Sequence, residues 1–237
     1  MSNNYFRFKQ FTIHQERCAM KVTTDACILG AWAYPKSEGG RMLDIGTGTG
    51  LLALMMAQRF PGFAIDGIEL DPAAALQAGE NAGASPWGDK VRITEGDINE
   101  FKPVERYDFL ISNPPFFRNS LNGPDAARNQ ARHTHSLDDV ALLAAANRLL
   151  KPGGQMALLL PAPEFELCEA FFNDNGWYTN RKLLIRTDED AQVNRVVGVF
   201  LENRHFNSTI ESLTVYDNDR NYTPEFVRLL SPFYLKL

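Results

Sequence analysis

The segment RMLDIGTGTGLLALMMAQRF, residues 41–60, constrains the chain more than any other. Its first six residues are a short apolar run that reads as a buried strand, and 51–60 reads as a helix that Pro61 and Gly62 end. Between them Gly46, Gly48 and Gly50 permit a tight turn that leaves backbone N–H groups open near a helix N-terminus. The same alternation continues along the chain. FAIDGIEL (63–70) predicts a strand, an alanine-rich helix follows from Pro72 to about Ala84, and VRITEG (91–96) and YDFLIS (107–112) predict two more strands. SLDDVALLAAANRLL (136–150) predicts a helix with Ser136 as N-cap, Asp139 three residues later and KPGG as its stop. QMALLLP (155–161) reads as a strand and EFELCEAFFNDNG (164–176) as a helix. YTNRKLLIRT and VNRVVGVFLEN, separated only by the acidic turn DEDAQ, read as an antiparallel pair. The expected architecture is α/β and Rossmann-like: seven strands, mostly parallel with an antiparallel last strand, and helices on both faces.

At 44% hydrophobic and 22% charged residues, the chain can bury a full core in one domain and is neither disordered nor membrane-spanning by composition. Cys18, Cys27 and Cys168 are odd in number, scattered and without CxxC spacing, so neither a disulfide framework nor a zinc site is expected. The first twenty residues lack the apolar core of a signal peptide, and no apolar run reaches membrane-spanning length. A cytoplasmic protein is expected. The net charge of −5 argues against a sequence-independent nucleic-acid coat but leaves room for a local basic face. Between Phe116 and His135, Arg118, Arg128 and Arg132 face only Asp125. That stretch reads equally as a solvated loop.

The glycine turn disfavours phosphate binding. In place of the last glycine of GxGxxG stands Leu51, and there is no GKS or GKT. Asp44, two residues before the first glycine, would repel a pyrophosphate and attract a cation. Glu69, at the end of the second strand, is placed to accept hydrogen bonds from both hydroxyls of a ribose. Asp97, after the third strand, is placed to accept from an adenine amino group, with the Ile98 N–H reaching a ring nitrogen. Each acid alone reads as well as a cap or turn residue. Together with the backbone of Gly46, Thr47 and Gly48 they call for a positively charged nucleoside, a description that S-adenosylmethionine (SAM) meets. An NAD-linked oxidoreductase is disfavoured by Leu51 and Asp44.

The fourth strand ends in NPPFF (113–117). Prolines lack an N–H, so Pro114 and Pro115 stop the ladder and hold the chain extended. The Asn113 side-chain oxygen and the Pro114 carbonyl can accept both N–H groups of a planar amine, as on adenine, cytosine, guanine or a glutamine amide. Holding them so favours the pyramidal nitrogen that attacks a methyl group. Phe116 can stack on a base. Phe116 and Phe117 could instead be core residues after a proline turn.

LDIGTGTG, IELD, EGDI and SNPPFF in this order resemble the class I SAM-dependent methyltransferases that modify exocyclic amines. With the flanking FKQFTIHQERCAMKVTTDACILGAWA and ARHTHSLDDV, nearly all of the chain is similar to the bacterial tRNA(Val) adenine-37 N6-methyltransferase family. The resemblance implies one methyltransferase domain over 1–237, with residues 1–35 an N-terminal extension capping the cofactor and substrate side. Within KVTTDA, Thr24 and Asp25 would contact SAM, although either could be a helix N-cap before ACILGAWA. Phe116 agrees with the family's phenylalanine. The implied partners are SAM and tRNA, with no metal and no membrane, and a monomer is favoured. The same NPPF chemistry would serve a guanine-N2 rRNA or a protein glutamine-N5 methyltransferase, and an RNA-binding protein without transfer could keep the fold. His133 and His135 lack zinc-site spacing and could line an RNA path. A base in an anticodon stem-loop must be turned out of its stack to reach Phe116. In YFRFKQF, Tyr5, Phe6, Phe8 and Phe11 alternate with Arg7 and Lys9 in a composition suited to RNA, yet an edge strand covering the sheet would look the same. TPEFVRLLSPFYL (223–235) reads as a short packed helix and a turn.

Overall fold

A computed structural model describes residues 3–115, 137–203 and 208–237. A small hairpin comes first, β1 (Tyr5–Arg7) against β2 (Thr12–His14), followed by α1 (Thr24–Trp32). Then strands and helices alternate: β3 (Gly40–Ile45), α2 (Leu51–Arg59), β4 (Phe63–Glu69), α3 (Pro72–Gly83), β5 (Val91–Glu95) and β6 (Tyr107–Ser112). They continue through α4 (Asp139–Leu149), β7 (Leu150–Pro161), α5 (Ala162–Asp174), β8 (Trp177–Arg186), β9 (Arg195–Glu202), β10 (Thr209–Thr214) and α6 (Pro224–Leu230). The main sheet has the order β10-β8-β9-β7-β6-β3-β4-β5, and every neighbouring pair is parallel except the two made by β9. The α/β class and the antiparallel β8–β9 pair are as expected. The sheet has eight strands, one more than expected. The extra strand, TIESLT, is exposed at four of its six residues and buries only Leu213, so it carries no apolar alternation to betray it.

The centre of the sheet is covered on both faces, as parallel strands require. One face packs against α1, α2 and α6 through Ile28, Leu54, Met55 and Phe226, and the other against α4 and α5 through Leu142, Leu149, Phe165 and Phe172. Two caps differ from expectation. The N-cap of α4 is Asp138, which accepts from the Ala141 N–H at 2.9 Å, while Ser136 lies outside the described residues. The N-cap of α1 is Thr23, not Thr24 or Asp25, because only its hydroxyl reaches the Ala26 N–H, at 3.2 Å. KPGG does not lie between elements but within β7, where the register against β6 shifts and Gly153 takes φ +78°. Among the described residues no helix is long and apolar enough to cross a membrane.

The N-terminal aromatics divide. Phe8 and Phe11 are buried and stack with ring centroids 4.5 Å apart, and Phe8 also bridges to Tyr234. They are core residues and are not available to RNA bases; Phe6 is partly buried, and only Tyr5 is well exposed. Two buried amides on α3 hold this region. Asn81 Oδ1 accepts from the His14 N–H at 2.9 Å, and its Nδ2 donates to the carbonyls of His14 and Thr49, each at 2.9 Å. Gln77 Oε1 accepts from the Arg17 N–H at 2.9 Å. Asn81 thus ties β2 to the glycine turn. Asn81→Ala leaves a donor and two carbonyls short of partners, and should destabilise the protein by about 2–3 kcal/mol in urea unfolding.

Candidate functional site

The chain leaves β3 for β4 and β5 on one side and returns to β6 on the other, so the strand order reverses between β3 and β6. At such a point the loops diverge and leave a crevice beyond the carboxyl ends of the strands. Hydrogen bonds fix those ends to one another. The Gly46 and Thr47 N–H groups both donate to the Ile68 carbonyl at 2.9 and 3.0 Å, the Gly96 N–H donates to the Glu69 carbonyl at 2.8 Å, and Ser112 Oγ donates to the Ile45 carbonyl at 2.8 Å. Gly46, Gly48 and Gly50 all take positive φ, at +68°, +55° and +81°, where a side chain would be strained. The turn can form in this shape only because glycines occupy it.

Asp44 lies almost wholly buried near the end of β3. Its Oδ2 accepts from Thr47 Oγ1 at 2.5 Å and from the Ala53 N–H, in the first turn of α2, at 3.2 Å. Its Oδ1 is shielded from solvent and has no partner among the described residues. Gly67 is opposite Asp44 in the ladder, and a Cβ there would stand 2.7 Å from Ile93 Cδ1 and 3.0 Å from Thr47 Oγ1. Gly67 therefore makes room for the Asp44–Thr47 contact. Burial pushes the Asp44 carboxyl up to about 7, against the pull of the Thr47 and Ala53 hydrogen bonds, and the nearby Glu69 adds to the rise.

Glu69 is half-buried at the end of β4, where Oε2 accepts from the Gly48 N–H at 2.8 Å and Oε1 from the Asp71 N–H at 3.0 Å. A carboxylate oxygen can accept twice, so both keep capacity for a ligand. Asp97 follows β5 and closes a turn, its Oδ1 accepting from the N–H of Asn99 at 2.8 Å and from Asn99 Nδ2 at 2.9 Å. Ile98 is buried, and its carbonyl accepts from Arg148 Nη2 at 2.5 Å, while Arg148 Nη1 donates to the Phe101 carbonyl. Arg148, from the last turn of α4, thus fixes the Asp97–Ile98 turn from another part of the chain. No motif marks it in the sequence.

At the end of β6, Asn113 is half-buried. Its Nδ2 donates to Met20 Sδ at 3.7 Å, and its Oδ1 is shielded from solvent with no partner among the described residues. Pro114 is buried and Pro115 exposed. Phe116 and Phe117, with Arg118, Arg128, Arg132, His133 and His135, lie outside the described residues. Thr24 and Asp25 are in the first turn of α1; Thr24 is exposed, and Asp25 Oδ2 pairs with Arg195 Nε at 3.0 Å. Arg195 opens β9 opposite Pro161, the last residue of β7, so Asp25 stands at the carboxyl edge of the sheet with its charge already partnered.

The structure therefore brings Asp44, Gly46, Thr47, Gly48 and Glu69 together, with Asp97–Ile98 and Asn113 at the adjoining strand ends. Met20, Arg148 and Asn81 join them without sequence warning. An open cleft of about 530 Å³ lies at the opposite edge, where Asp66 is occupied by Arg41 at 2.5 Å and by the Tyr107 hydroxyl at 2.8 Å. Those polar groups satisfy one another and leave little for a ligand.

The family model described as methyltransferase small domain matches residues 29–167. A relative from Tolumonas auensis, named tRNA1(Val) (adenine(37)-N6)-methyltransferase, is 45% identical over 238 aligned residues, spanning all of this chain and 99% of that protein. One of the same name from Dyadobacter fermentans is 44% identical, spanning 99% of this chain and 98% of its own. Among solved structures, a predicted O-methyltransferase from Agrobacterium tumefaciens superposes with a TM-score of 0.67 at 16% identity, covering 88% of this chain and 96% of the other. That likeness carries the fold alone. End-to-end similarity at this level places the chain in the family of the tRNA1(Val) (adenine(37)-N6)-methyltransferases.

Proposed function

We propose that this protein transfers a methyl group from SAM to the exocyclic N6 of an adenine in tRNA, at position 37 beside the anticodon of tRNA(Val). The observation that carries the reading is the Asn113 side-chain oxygen: shielded from solvent, without a partner among the described residues, and set at the strand end next to the glycine turn. An orphaned buried acceptor costs on the order of 1–3 kcal/mol unless a donor arrives. The two N–H groups of an adenine amine are such donors. The names of the full-length relatives favour adenine in tRNA over a guanine or glutamine amine.

The residues present fit SAM. The Asp44 Oδ1 atom is a second buried acceptor without a partner among the described residues, suited to a cationic donor, and the positive-φ glycines expose backbone where a side chain would fill the space. Asp44, Gly46, Thr47, Gly48, Glu69, Asp97 and Ile98 would hold the cofactor, with Thr24, Asp25 and Asn113 closing it in beneath the N-terminal extension, residues 1–35. Bound there, SAM supplies an electrophilic methyl group. Asn113 and the Pro114 carbonyl accept from the amine and draw its lone pair out of conjugation, which makes the nitrogen a nucleophile. Pro115 stiffens the segment, and Phe116 stacks on the base. The acceptor nitrogen becomes acidic once methylated, so no side chain has to remove a proton beforehand. On this reading the enzyme works in the cytoplasm, where its tRNA is.

Two measurements test the assignment. Asn113→Ala should lower turnover on tRNA from a strain lacking the protein by about a hundredfold or more, while the Kd for SAM stays within about twofold. Wild-type turnover in that variant would remove Asn113 from catalysis. The second concerns Asp44, whose folded-state carboxyl titrates near 7 against an ordinary value of 3.8. Between these values the unfolded chain binds fewer protons than the folded one, so stability without cofactor should fall as pH rises through that window and level off above it. A cationic ligand favours the ionised carboxylate. SAM affinity should therefore strengthen from about pH 6 to about pH 8 with proton release in calorimetry, and Asp44→Asn should abolish the pH dependence.

A further inference from the structure

The Asn113 amide has two orientations of nearly equal shape, and only one aims its oxygen at an incoming amine. A carboxamide carries a two-donor nitrogen and an acceptor oxygen, so the choice depends on what stands beside it. Beside it stands Met20, whose sulfur lies 3.7 Å from Asn113 Nδ2. A thioether can accept a hydrogen bond but has nothing to donate. With the amide reversed, oxygen would face sulfur, lone pair against lone pair, and the N–H groups would point to where Oδ1 now lies.

The sulfur is held in place by the segment that carries it. On one side of Met20, the Arg17 N–H and Cys18 Sγ both donate to Gln77 Oε1 on α3, at 2.9 and 3.5 Å. On the other side, the Val22 N–H donates to Gln15 Oε1 at 2.9 Å. Gln15 is itself buried, and its Nε2 donates to the Asn3 carbonyl at 2.9 Å. The chain between Cys18 and Val22 is therefore a short bridge fixed at both ends, and its middle residue reaches the end of β6. A methionine 40% exposed contributes little as core, so burial alone does not account for a side chain at this place.

We propose that Met20 is a positioning residue for methyl transfer: its sulfur fixes the Asn113 amide with Nδ2 toward the N-terminal segment and Oδ1 free for the substrate amine. The inference rests on the reading of Asn113 as the group that presents the amine. It assigns the N-terminal segment a role in turnover distinct from covering the cofactor.

The test pairs substitutions at the two positions. Met20→Leu keeps the bulk and removes the acceptor, and Met20→Gln restores an acceptor oxygen. Met20→Leu should lower kcat by about three- to tenfold with the KM for tRNA and the Kd for SAM unchanged, and Met20→Gln should recover most of the loss. In cofactor-free protein labelled with ¹⁵N-asparagine, the Asn113 side-chain signals, identified by their absence from Asn113→Ala, should shift in Met20→Leu. In an Asn113→Asp background, where no N–H faces the sulfur, Met20→Leu should cost no further turnover. Wild-type kcat in Met20→Leu beside a crippled Asn113→Ala would overturn the role of Met20 and leave that of Asn113 standing. Equal losses in Met20→Leu and Met20→Gln with unmoved Asn113 signals would reduce Met20 to apolar cover and also overturn the proposal. An active Asn113→Ala would remove the reading beneath both.

Discussion

A carboxylate buried where β3 meets the glycine turn sets the terms for its surroundings. Removing such a group from water is costly unless it is paired or neutralised. Asp44 meets the requirement by halves: one oxygen accepts from Thr47 and from the first turn of α2, and the other has no partner among the described residues. The neighbouring features follow from that arrangement. Gly67 must lack a side chain so that Thr47 can reach the carboxylate, the turn must adopt positive φ to bring α2 above it, and the Ile68 carbonyl must anchor Gly46 and Thr47. The helix N-terminus has no side-chain cap of its own, and the Asp44 carboxylate supplies an acceptor in its place.

Around that centre, the site is assembled by side chains distant in sequence. Asn81 binds β2 and the glycine turn together, Arg148 holds the carbonyls of Ile98 and Phe101, and Gln77 and Gln15 fix the segment that carries Met20. Most of these are polar groups satisfying backbone donors and acceptors in loops that no ladder pairs. A crevice at strand ends needs them, because loops there must lie close to a ligand and still leave few backbone groups unpaired. Each amide makes its contacts in a definite orientation, so the same bonds that satisfy the loops also fix their shape.

What could be read from the sequence was what depends on neighbours. The glycine spacing, the acids at successive strand ends and the proline pair are local patterns, and the strand order places them at one reversal point. The caps misassigned at Ser136 and at Thr24 or Asp25 lay within two residues of the true ones, where several residues of capping type compete and geometry selects. β10 was invisible because a strand exposed along most of its length has no periodic apolar face. Phe8 and Phe11 look like RNA-facing aromatics beside Arg7 and Lys9, and only the fold places them against Tyr234 and Trp87. Met20, Asn81 and Arg148 belong to no motif because their partners are far away in the chain.

Two oxygens without a partner among the described residues, Asp44 Oδ1 in β3 and Asn113 Oδ1 just past the end of the adjoining β6, differ in the kind of donor each can favour. The first belongs to an acid that burial pushes up to about 7, so a cation approaching it favours the ionised form and the loss of the proton. The second belongs to an amide that stays neutral across the physiological range, so it selects by hydrogen-bond direction and not by charge. A carboxylate at position 113 would offer the same reach but would add negative charge beside an acid already strained by burial, and would raise the Asp44 carboxyl further. A neutral amide at the end of β6 avoids that coupling. It then needs something other than charge to fix its orientation, and the sulfur of Met20 stands where an acceptor is required.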